Sequence, residues 1–176
     1  MFKLNGNLLA CLTDQNNTKS YELNMGTWKF HSITNKPRHG NNSLVSTDFG
    51  TFLFGGCAKS SRTYEYLQKG SKKWKMGKNK IPGGFLTGFA IEVKSNQEIL
   101  LIGETGSDSD RILSFDLKTH KFERWGYTSL IRGRSDIACA FIPGTTDKIL
   151  VTGKYFRFFL SKVPKSKEFG LSNFHI

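Results

Sequence analysis

Cysteine is scarce in this sequence, and the three that occur lie far apart. Cys11, Cys57 and Cys139 show no Cys-x-x-Cys spacing, and their number is odd. This pattern argues against a disulfide framework or a cysteine-ligated zinc site, and it favours free thiols in a reducing compartment, which predicts a cytoplasmic location. Cys139 lies in an apolar run and is predicted to be a small core residue. The alternative to three free thiols is a disulfide between Cys11 and Cys57.

Long apolar runs are also missing. No stretch approaches the ~20 apolar residues that a membrane-spanning helix needs. The first apolar run, residues 8–12, is too short for a secretory signal and is better explained as a strand. We therefore expect no membrane partner.

The usual patterns of catalytic and metal-binding residues are absent as well. The four histidines, at positions 31, 39, 120 and 175, show no His-x-His or His-x-x-x-His spacing. There is no Gly-x-Ser-x-Gly motif and no phosphate-binding loop with its lysine. Asp108 and Asp110 are explained more simply by a polar turn than by a calcium site, and His120 by a solvated turn. The sequence predicts no enzyme, no metal and no cofactor.

Acidic residues are outnumbered, with 14 Asp and Glu against 26 Lys and Arg and a formal net charge of +12. Such a balance attracts acidic partners. The densest basic stretch runs from Lys69 to Lys80 and surrounds Trp74. It is interpreted either as a solvated strand edge, which lysines keep soluble, or as a surface that contacts phosphates of a nucleic acid.

What the chain does contain is a repeat. Three landmarks recur at intervals of 43 to 51 residues, and a period of this size is typical of propellers and solenoids. They are a glycine after an apolar strand (Gly55, Gly103, Gly153), an aromatic–acid pair (Tyr21-Glu22, Tyr64-Glu65, Phe115-Asp116) and a closing aromatic residue (Trp28, Trp74, Phe122). The rings are expected at equivalent places, where neighbouring units bury them.

An apolar strand into a glycine doublet, an aromatic residue in the next strand and a tryptophan soon after resemble the kelch repeat. Gly55-Gly56 is the one complete doublet. The resemblance spans roughly residues 7–155 and implies an all-β, kelch-type β-propeller of about 3.5 to 4 four-stranded antiparallel meanders. With so few units, the chain is interpreted as a fragment of a larger propeller in preference to an open arc. An incomplete propeller would also tend to self-associate.

The expected organisation is one propeller region, residues 1–161, followed by a polar tail, residues 162–176. Its units are expected at 7–32, 43–76, 86–125 and 136–161, the first without its first strand and the last without its fourth. Apolar runs separated by polar turns predict the individual strands, near residues 7–12, 18–23, 27–32, 43–47, 51–55, 62–67, 73–76, 86–93, 98–102, 111–116, 121–125, 136–142, 148–152 and 155–161.

The resemblance implies a non-catalytic module that binds a protein partner through loops at one face of the propeller. In kelch proteins, arginines near the start of the first strand reach that face, and Arg38 and Arg134 lie at matching positions. His39, Arg111 and Arg132 complete the predicted site, which would suit a partner with an acidic segment. Alternatively, these arginines only pack against neighbouring loops. The second hypothesis is a basic scaffold that binds nucleic acid or another polyanion through Lys69–Lys80, and the third is a kelch-type enzyme.

Overall fold

The computed structural model describes this chain as a succession of strands and their turns. Within the described stretches every regular element is a β-strand, and the strands form four antiparallel sheets. The predicted all-β class is therefore confirmed. The described stretches are residues 2–4, 7–11, 19–35, 42–56, 62–83, 87–93, 97–104, 111–129, 138–142, 149–153 and 156–160.

The first sheet is a four-stranded meander in sequence order. A two-residue turn, Met25-Gly26, joins its third and fourth strands with φ angles of 46° and 78°, as a tight hairpin requires. The prediction that this unit lacks its first strand is wrong, because Phe2-Lys3-Leu4, a short apolar alternation, pairs with the strand that follows. Its strands are β1 (Phe2–Leu4), β2 (Asn7–Cys11), β3 (Lys19–Asn24) and β4 (Thr27–Ile33).

The second sheet repeats this topology but ends in a very short strand. Its strands are β5 (Ser43–Thr47), β6 (Gly50–Phe54), β7 (Tyr64–Gln68) and β8 (Lys75–Met76). Past β8, the Gly77 amide donates to the Tyr64 carbonyl at 2.9 Å. A Cβ at position 77 would overlap the Tyr64 ring, so glycine permits this close approach.

Both faces of the second sheet are buried. One face carries a cluster of Leu44, Leu53, Leu67 and Trp74. Successive residues of a strand point to opposite faces, so Phe52 and Phe54 lie on the other face, where their rings stack at 6.2 Å between centroids. Each large ring removes ~150–250 Å² from water, which stabilises this sheet.

The third and fourth sheets follow the same meander. The strands of the third are β9 (Thr87–Val93), β10 (Glu98–Glu104), β11 (Arg111–Asp116) and β12 (Phe122–Ser129). Those of the fourth are β13 (Ala138–Phe141), β14 (Ile149–Gly153) and β15 (Phe156–Leu160). A shared apolar cluster, which includes Leu100, Trp125, Cys139 and Val151, packs these two sheets together. Cys139 is a free, buried thiol, as predicted, and burial raises its pKa to about 12.

The chain divides into two compact units, Met1–Thr87 and Gly88–Ile176. The first unit contains the first and second sheets, and the second unit contains most of the third sheet and all of the fourth. Each unit has its own buried apolar cluster. The predicted boundary of the polar tail, residues 162–176, lies outside the described residues.

Strand register tests the repeat directly. Trp28 pairs with Leu23, and Phe122 pairs with Phe115. Trp74 directly precedes Lys75, whose partner is Tyr66, so the same register places Trp74 opposite Leu67, with which it packs. The closing aromatic residue therefore occupies an equivalent position in three successive sheets.

The aromatic–acid pair does not share one register. Tyr64 opens β7 opposite Phe54, whereas Phe115 lies near the end of β11 opposite Ile99. The segments that follow Gly55 and Gly103 differ in length before the next strand begins. Counting residues from the glycine therefore aligns two residues that occupy different register positions in their sheets.

Candidate functional site

The predicted partner-binding residues fall almost entirely outside the described residues. Arg38 and His39 lie in the segment 36–41, and Arg132 and Arg134 lie in the segment 130–137. Arg111 is the first residue of β11, and its backbone pairs with Ser129 before a shift in register. The loop site thus stays a prediction, and the described residues supply three other features to consider.

The first feature is the lysine-rich hairpin, residues 69–80, which spans the β7–β8 turn and the segment after it. All six of its lysines are exposed, at positions 69, 72, 73, 75, 78 and 80. Trp74, at its centre, is only 5% exposed. Because the indole is buried, it cannot stack on a nucleic-acid base. The hairpin therefore offers ammonium groups alone, which contact phosphate or carboxylate as point charges.

The second feature is a set of polar contacts that link the second sheet to Asn35, an exposed residue just after β4. Glu65 of β7 is fully buried. Its Oε2 accepts hydrogen bonds from the Asn35 backbone amide at 2.6 Å and from Asn35 Nδ2 at 2.8 Å. Asn35 Nδ2 also donates to the Trp74 carbonyl at 3.0 Å. A buried carboxylate is costly unless it is hydrogen-bonded, so these contacts explain how an acid lies within a buried strand.

A hydroxyl network lies beside this carboxylate. The Ser20 hydroxyl donates to the Ser32 carbonyl at 3.0 Å and lies 2.9 Å from the Ser32 hydroxyl. Trp74 Nε1 donates to Ser20 Oγ at 3.4 Å. Because Ser20 belongs to β3 and Trp74 to the second sheet, the network attaches one face of the first sheet to the second.

His31 Nδ1 lies 2.8 Å from Ser32 Oγ, a distance at which a histidine can activate a serine hydroxyl. Ser32, however, is 6% exposed, and its hydroxyl also contacts Ser20. The pKa of His31 is lowered, chiefly by burial and further by Lys72, against an opposing effect of Glu22. The Ser32 hydroxyl is therefore buried among strand contacts and not presented to a substrate, and the contact with His31 serves to hold the strand.

The remaining candidates for chemistry have structural explanations. In the part of the chain that the structure describes, no three His, Cys, Asp or Glu residues could hold a metal ion together. Asp116 Oδ1 accepts hydrogen bonds from the Thr119 amide at 2.6 Å and from the Lys118 amide at 3.0 Å, and these bonds lower the pKa of Asp116. His120 directly follows the predicted turn and stays partly exposed, with its ring packed 5.3 Å from that of Phe115.

The third feature, which the sequence reasoning missed, is the exposed aromatic surface of β4. Trp28 is 45% exposed, Phe30 56% and Ile33 59%. The Phe30 ring makes an edge-on contact with Tyr21 of β3 at 6.1 Å. We expected Trp28 to be buried as Trp74 is. That expectation is wrong, because a shared register does not guarantee that a neighbouring sheet covers the ring.

For the described residues, no helix is long and apolar enough to cross a membrane. This finding concerns helices in those stretches alone.

Comparison with known proteins supports the fold and goes no further. No protein-family model matches the chain, and no curated protein matches it. A solved structure, described as the structure of YjhT, is similar with a TM-score of 0.57 and 16% sequence identity. The match covers 85% of this chain and 61% of that chain, so this chain spans less than two thirds of the similar protein.

Proposed function

We propose that this chain is part of a kelch-type β-propeller and acts as a non-catalytic module that binds a protein partner through loops at one face. The observation that carries the proposal is the register of Trp28, Trp74 and Phe122. Each lies at or directly beside the start of the outer strand in one of three successive antiparallel meanders. A repeated sheet with a repeated ring is what propeller blades need in order to pack side by side. The similarity to a solved structure supports the all-β fold on which the proposal depends.

A binding role follows from how such a fold uses its parts. The strands hold their loops at fixed positions, and loops vary without disturbing the sheets. The buried polar groups between the first two sheets, Glu65, Ser20 and Ser32, are used in contacts that join strands. The loop arginines Arg38 and Arg134 are then the residues for a partner with an acidic segment, through bidentate contacts with carboxylates.

Binding of an acidic peptide tests this proposal. With a synthetic Glu-rich peptide as the probe, Arg38→Ala and Arg134→Ala should each weaken binding by ~1–3 kcal/mol, because each removes a charged contact. Lys118→Ala, an exposed charge in the turn after β11, is the matched control and should leave binding unchanged. Equal affinity for the arginine variants and the control would refute the loop site.

A second candidate function is the binding of nucleic acid or another polyanion, and the exposure of all six lysines in the lysine-rich hairpin favours it. Because Trp74 is buried, such binding would be electrostatic and insensitive to base sequence. Neutralising Lys72, Lys73, Lys75 and Lys78 together should abolish binding to a single-stranded oligonucleotide. Log affinity should also fall steeply with log salt. A steep salt slope that depends on these lysines would favour this function over the first.

A further inference from the structure

The outer strands of the first three sheets differ in how they protect their open edges. A strand at the edge of a sheet carries unpaired backbone groups, and proteins commonly protect it by keeping it short or by adding charges. β8 has two residues and is flanked by exposed lysines, and β12 exposes Glu123 and Arg124. In contrast, β4 has seven residues and exposes three large apolar side chains. Lys29 is the one charged side chain among the exposed residues of β4 and lies between Trp28 and Phe30, so this edge has less protection than that of β8.

The backbone amide and carbonyl groups of β4 that do not pair with β3 belong to its two aromatic residues. The turn Met25-Gly26 is flanked by the pair Asn24 and Thr27, and the flanking pair of a two-residue hairpin is hydrogen-bonded. Bonded and non-bonded pairs alternate along an antiparallel ladder, so Trp28 and Phe30, opposite Leu23 and Tyr21, are at non-bonded positions. Their amide and carbonyl groups therefore point away from β3, towards the edge where the described residues place no other strand.

The aromatic side chains also face away from the second sheet. Ser20 of β3 contacts Trp74 of that sheet, and Tyr21, the next residue, points to the opposite face. Phe30 contacts Tyr21 edge-on, and Trp28 lies two residues earlier on the same strand. One side of the first sheet is thus attached to its neighbour, while the other side exposes rings next to an open edge.

Charge indicates what kind of strand would pair there. Lys19 and Lys29 are exposed on β3 and β4, and Lys72 acts on His31 electrostatically. The acid opposite Lys29 on β3 is Glu22, and the chain as a whole carries +12. A second copy of this chain that paired antiparallel with Trp28 opposite Phe30 would place Lys29 against Lys29, and like charges directly opposite each other destabilise a sheet. An acidic strand has no such conflict.

We propose that β4 binds an extended segment of a partner protein, which alternates acidic with bulky apolar residues and adds antiparallel as a fifth strand. Main-chain hydrogen bonds at Trp28 and Phe30 supply the affinity, and contacts with the two rings and Lys29 supply the specificity. This surface does not include the loop arginines. It rests on the proposed function only in taking a protein as the partner.

Tryptophan fluorescence measures this binding directly. Trp28 is the exposed one of three tryptophans, since Trp74 and Trp125 are 5% and 7% exposed. The probe is a synthetic peptide of about eight residues that alternates Glu with Val and Phe, a length that matches a typical strand. The peptide should bind saturably and reduce the quenching of Trp28 by acrylamide. A peptide with Lys in place of Glu should bind at least about tenfold more weakly, a difference of 1.4 kcal/mol.

Backbone pairing is tested by N-methylating the same peptide on alternate residues, in two versions, so that one version blocks the groups that face β4. That version should lose at least about tenfold in affinity, whereas the version methylated on the other residues should bind normally. Equal affinity for the two versions would overturn the proposal, since the contact would then depend on side chains alone.

Phe30→Lys, which places a protecting charge on the edge, should likewise weaken binding at least about tenfold. The matched control is Phe49→Lys, because Phe49 is 43% exposed but lies in the turn between β5 and β6. Circular dichroism verifies that both variants stay folded, and Lys29→Glu is a second variant that should weaken binding of the acidic peptide. Lys118→Ala, an exposed charge after β11, should have no effect here. Because the loop site is tested separately with Arg38→Ala and Arg134→Ala, failure of the loop site and failure of the edge site remain distinguishable.

Two outcomes would overturn the proposal outright. One is an absence of saturable binding by the acidic peptide. The other is a dimer in sedimentation equilibrium that protects Trp28 and that Phe30→Lys disperses, since a second copy would then be the occupant of this edge.

Discussion

The first and second sheets share one topology, four antiparallel strands in sequence order, but they place equivalent tryptophans in opposite environments. Trp74 lies against Leu44, Leu53 and Leu67 and is 5% exposed, whereas Trp28 is 45% exposed. The outer strand that follows Trp74 has two residues, and the one that contains Trp28 has seven. The same repeat landmark thus serves as core in one sheet and as surface in the next.

The difference comes from the neighbours of each sheet. Both faces of the second sheet are covered, so its rings exclude water on both sides. The first sheet is attached on one side, where the Trp74 indole donates to Ser20 and where Asn35, just after β4, donates to Glu65. Register places a ring within a sheet, but an adjoining surface is needed to bury it. The predictions below test this contrast, in order of decreasing effect.

The largest effect should come from removing the two rings. Trp74→Ala should lower the free energy of unfolding by about 3–5 kcal/mol, because it leaves a cavity in a packed cluster. Trp28→Ala should cost about 1 kcal/mol or less, as is usual for surface substitutions. Phe122→Ala should fall between the two, since Phe122 is half-buried against Phe115. Denaturant titrations of the three variants measure this order, and equal costs for the two tryptophans would contradict the contrast.

The next effect concerns the carboxylate that joins the two sheets. Asn35→Ala removes the side-chain bond to Glu65 Oε2 and the bond to the Trp74 carbonyl. The expected loss is about 1.5–3 kcal/mol, since bonds to charged groups exceed ordinary ones. Gln68→Ala is the control, because its 3.4 Å bond to Lys75 is exposed to water. If the two variants unfold at the same denaturant concentration, the bond to Glu65 contributes nothing.

A smaller loss is expected for the hydroxyl network. Ser20→Ala removes the acceptor of the Trp74 indole and leaves that donor without its bond in a buried place. The cost should be about 1–2 kcal/mol. Ser71→Ala, which removes a hydroxyl from an exposed turn, should cost less than half of that. Thermal or denaturant unfolding distinguishes them, and a Ser20 variant as stable as the Ser71 variant would show that the network is dispensable.

The smallest effect is a pH dependence that originates in β4. The pKa of His31 is lowered from its usual 6.5, chiefly by burial, so the unfolded chain takes up a proton before the folded chain does as the pH falls. The contribution of His31 to the free energy of unfolding is therefore complete well above its usual pKa of 6.5 and declines as the pH falls below that pKa. His31→Gln should flatten the decline in unfolding free energy between about pH 7.5 and about pH 5.5.

His120 serves as the comparison for this titration. Its pKa is lowered in the same direction and for the same principal reason, so His120→Gln should flatten the decline as well, and the double variant should flatten it more than either. Asp116 does not contribute to the slope over this pH range, because its usual pKa of 3.8 is already below the range and the protein lowers that pKa further. An unchanged slope in the His31 variant would mean that the ring gains no preference for its neutral form on folding.

Much of the local structure could be predicted from the residues themselves. Alternating apolar residues and polar turns placed most strands within two residues of the observed ones, and the closing aromatic residue kept its register in three sheets. The aromatic–acid pair failed as a landmark, because the segment after each glycine varies in length and moves the next strand. β1 was missed because three residues hold too little alternation to stand out before a partner strand pairs with them.

The candidate site was less predictable, for a physical reason. The loop arginines were chosen by resemblance, and they lie outside the described residues. The exposed rings of β4 had no sequence signal of their own, since Trp28 and Trp74 occupy the same phase of the repeat. The buried position of Trp74, in contrast, was predicted from its place in the repeat and is confirmed.

The sequence by itself determined the secondary structure and the repeat. Period-two alternation, turn residues and recurring rings act over a few neighbouring residues, so they operate before any sheet is packed. Only the tertiary structure decided which repeated residues are core and which are surface, because burial requires a second sheet from elsewhere in the chain. Trp74 has that cover and Trp28 does not. Identical positions in a repeat therefore became a stabilising contact in one sheet and an open surface in the other.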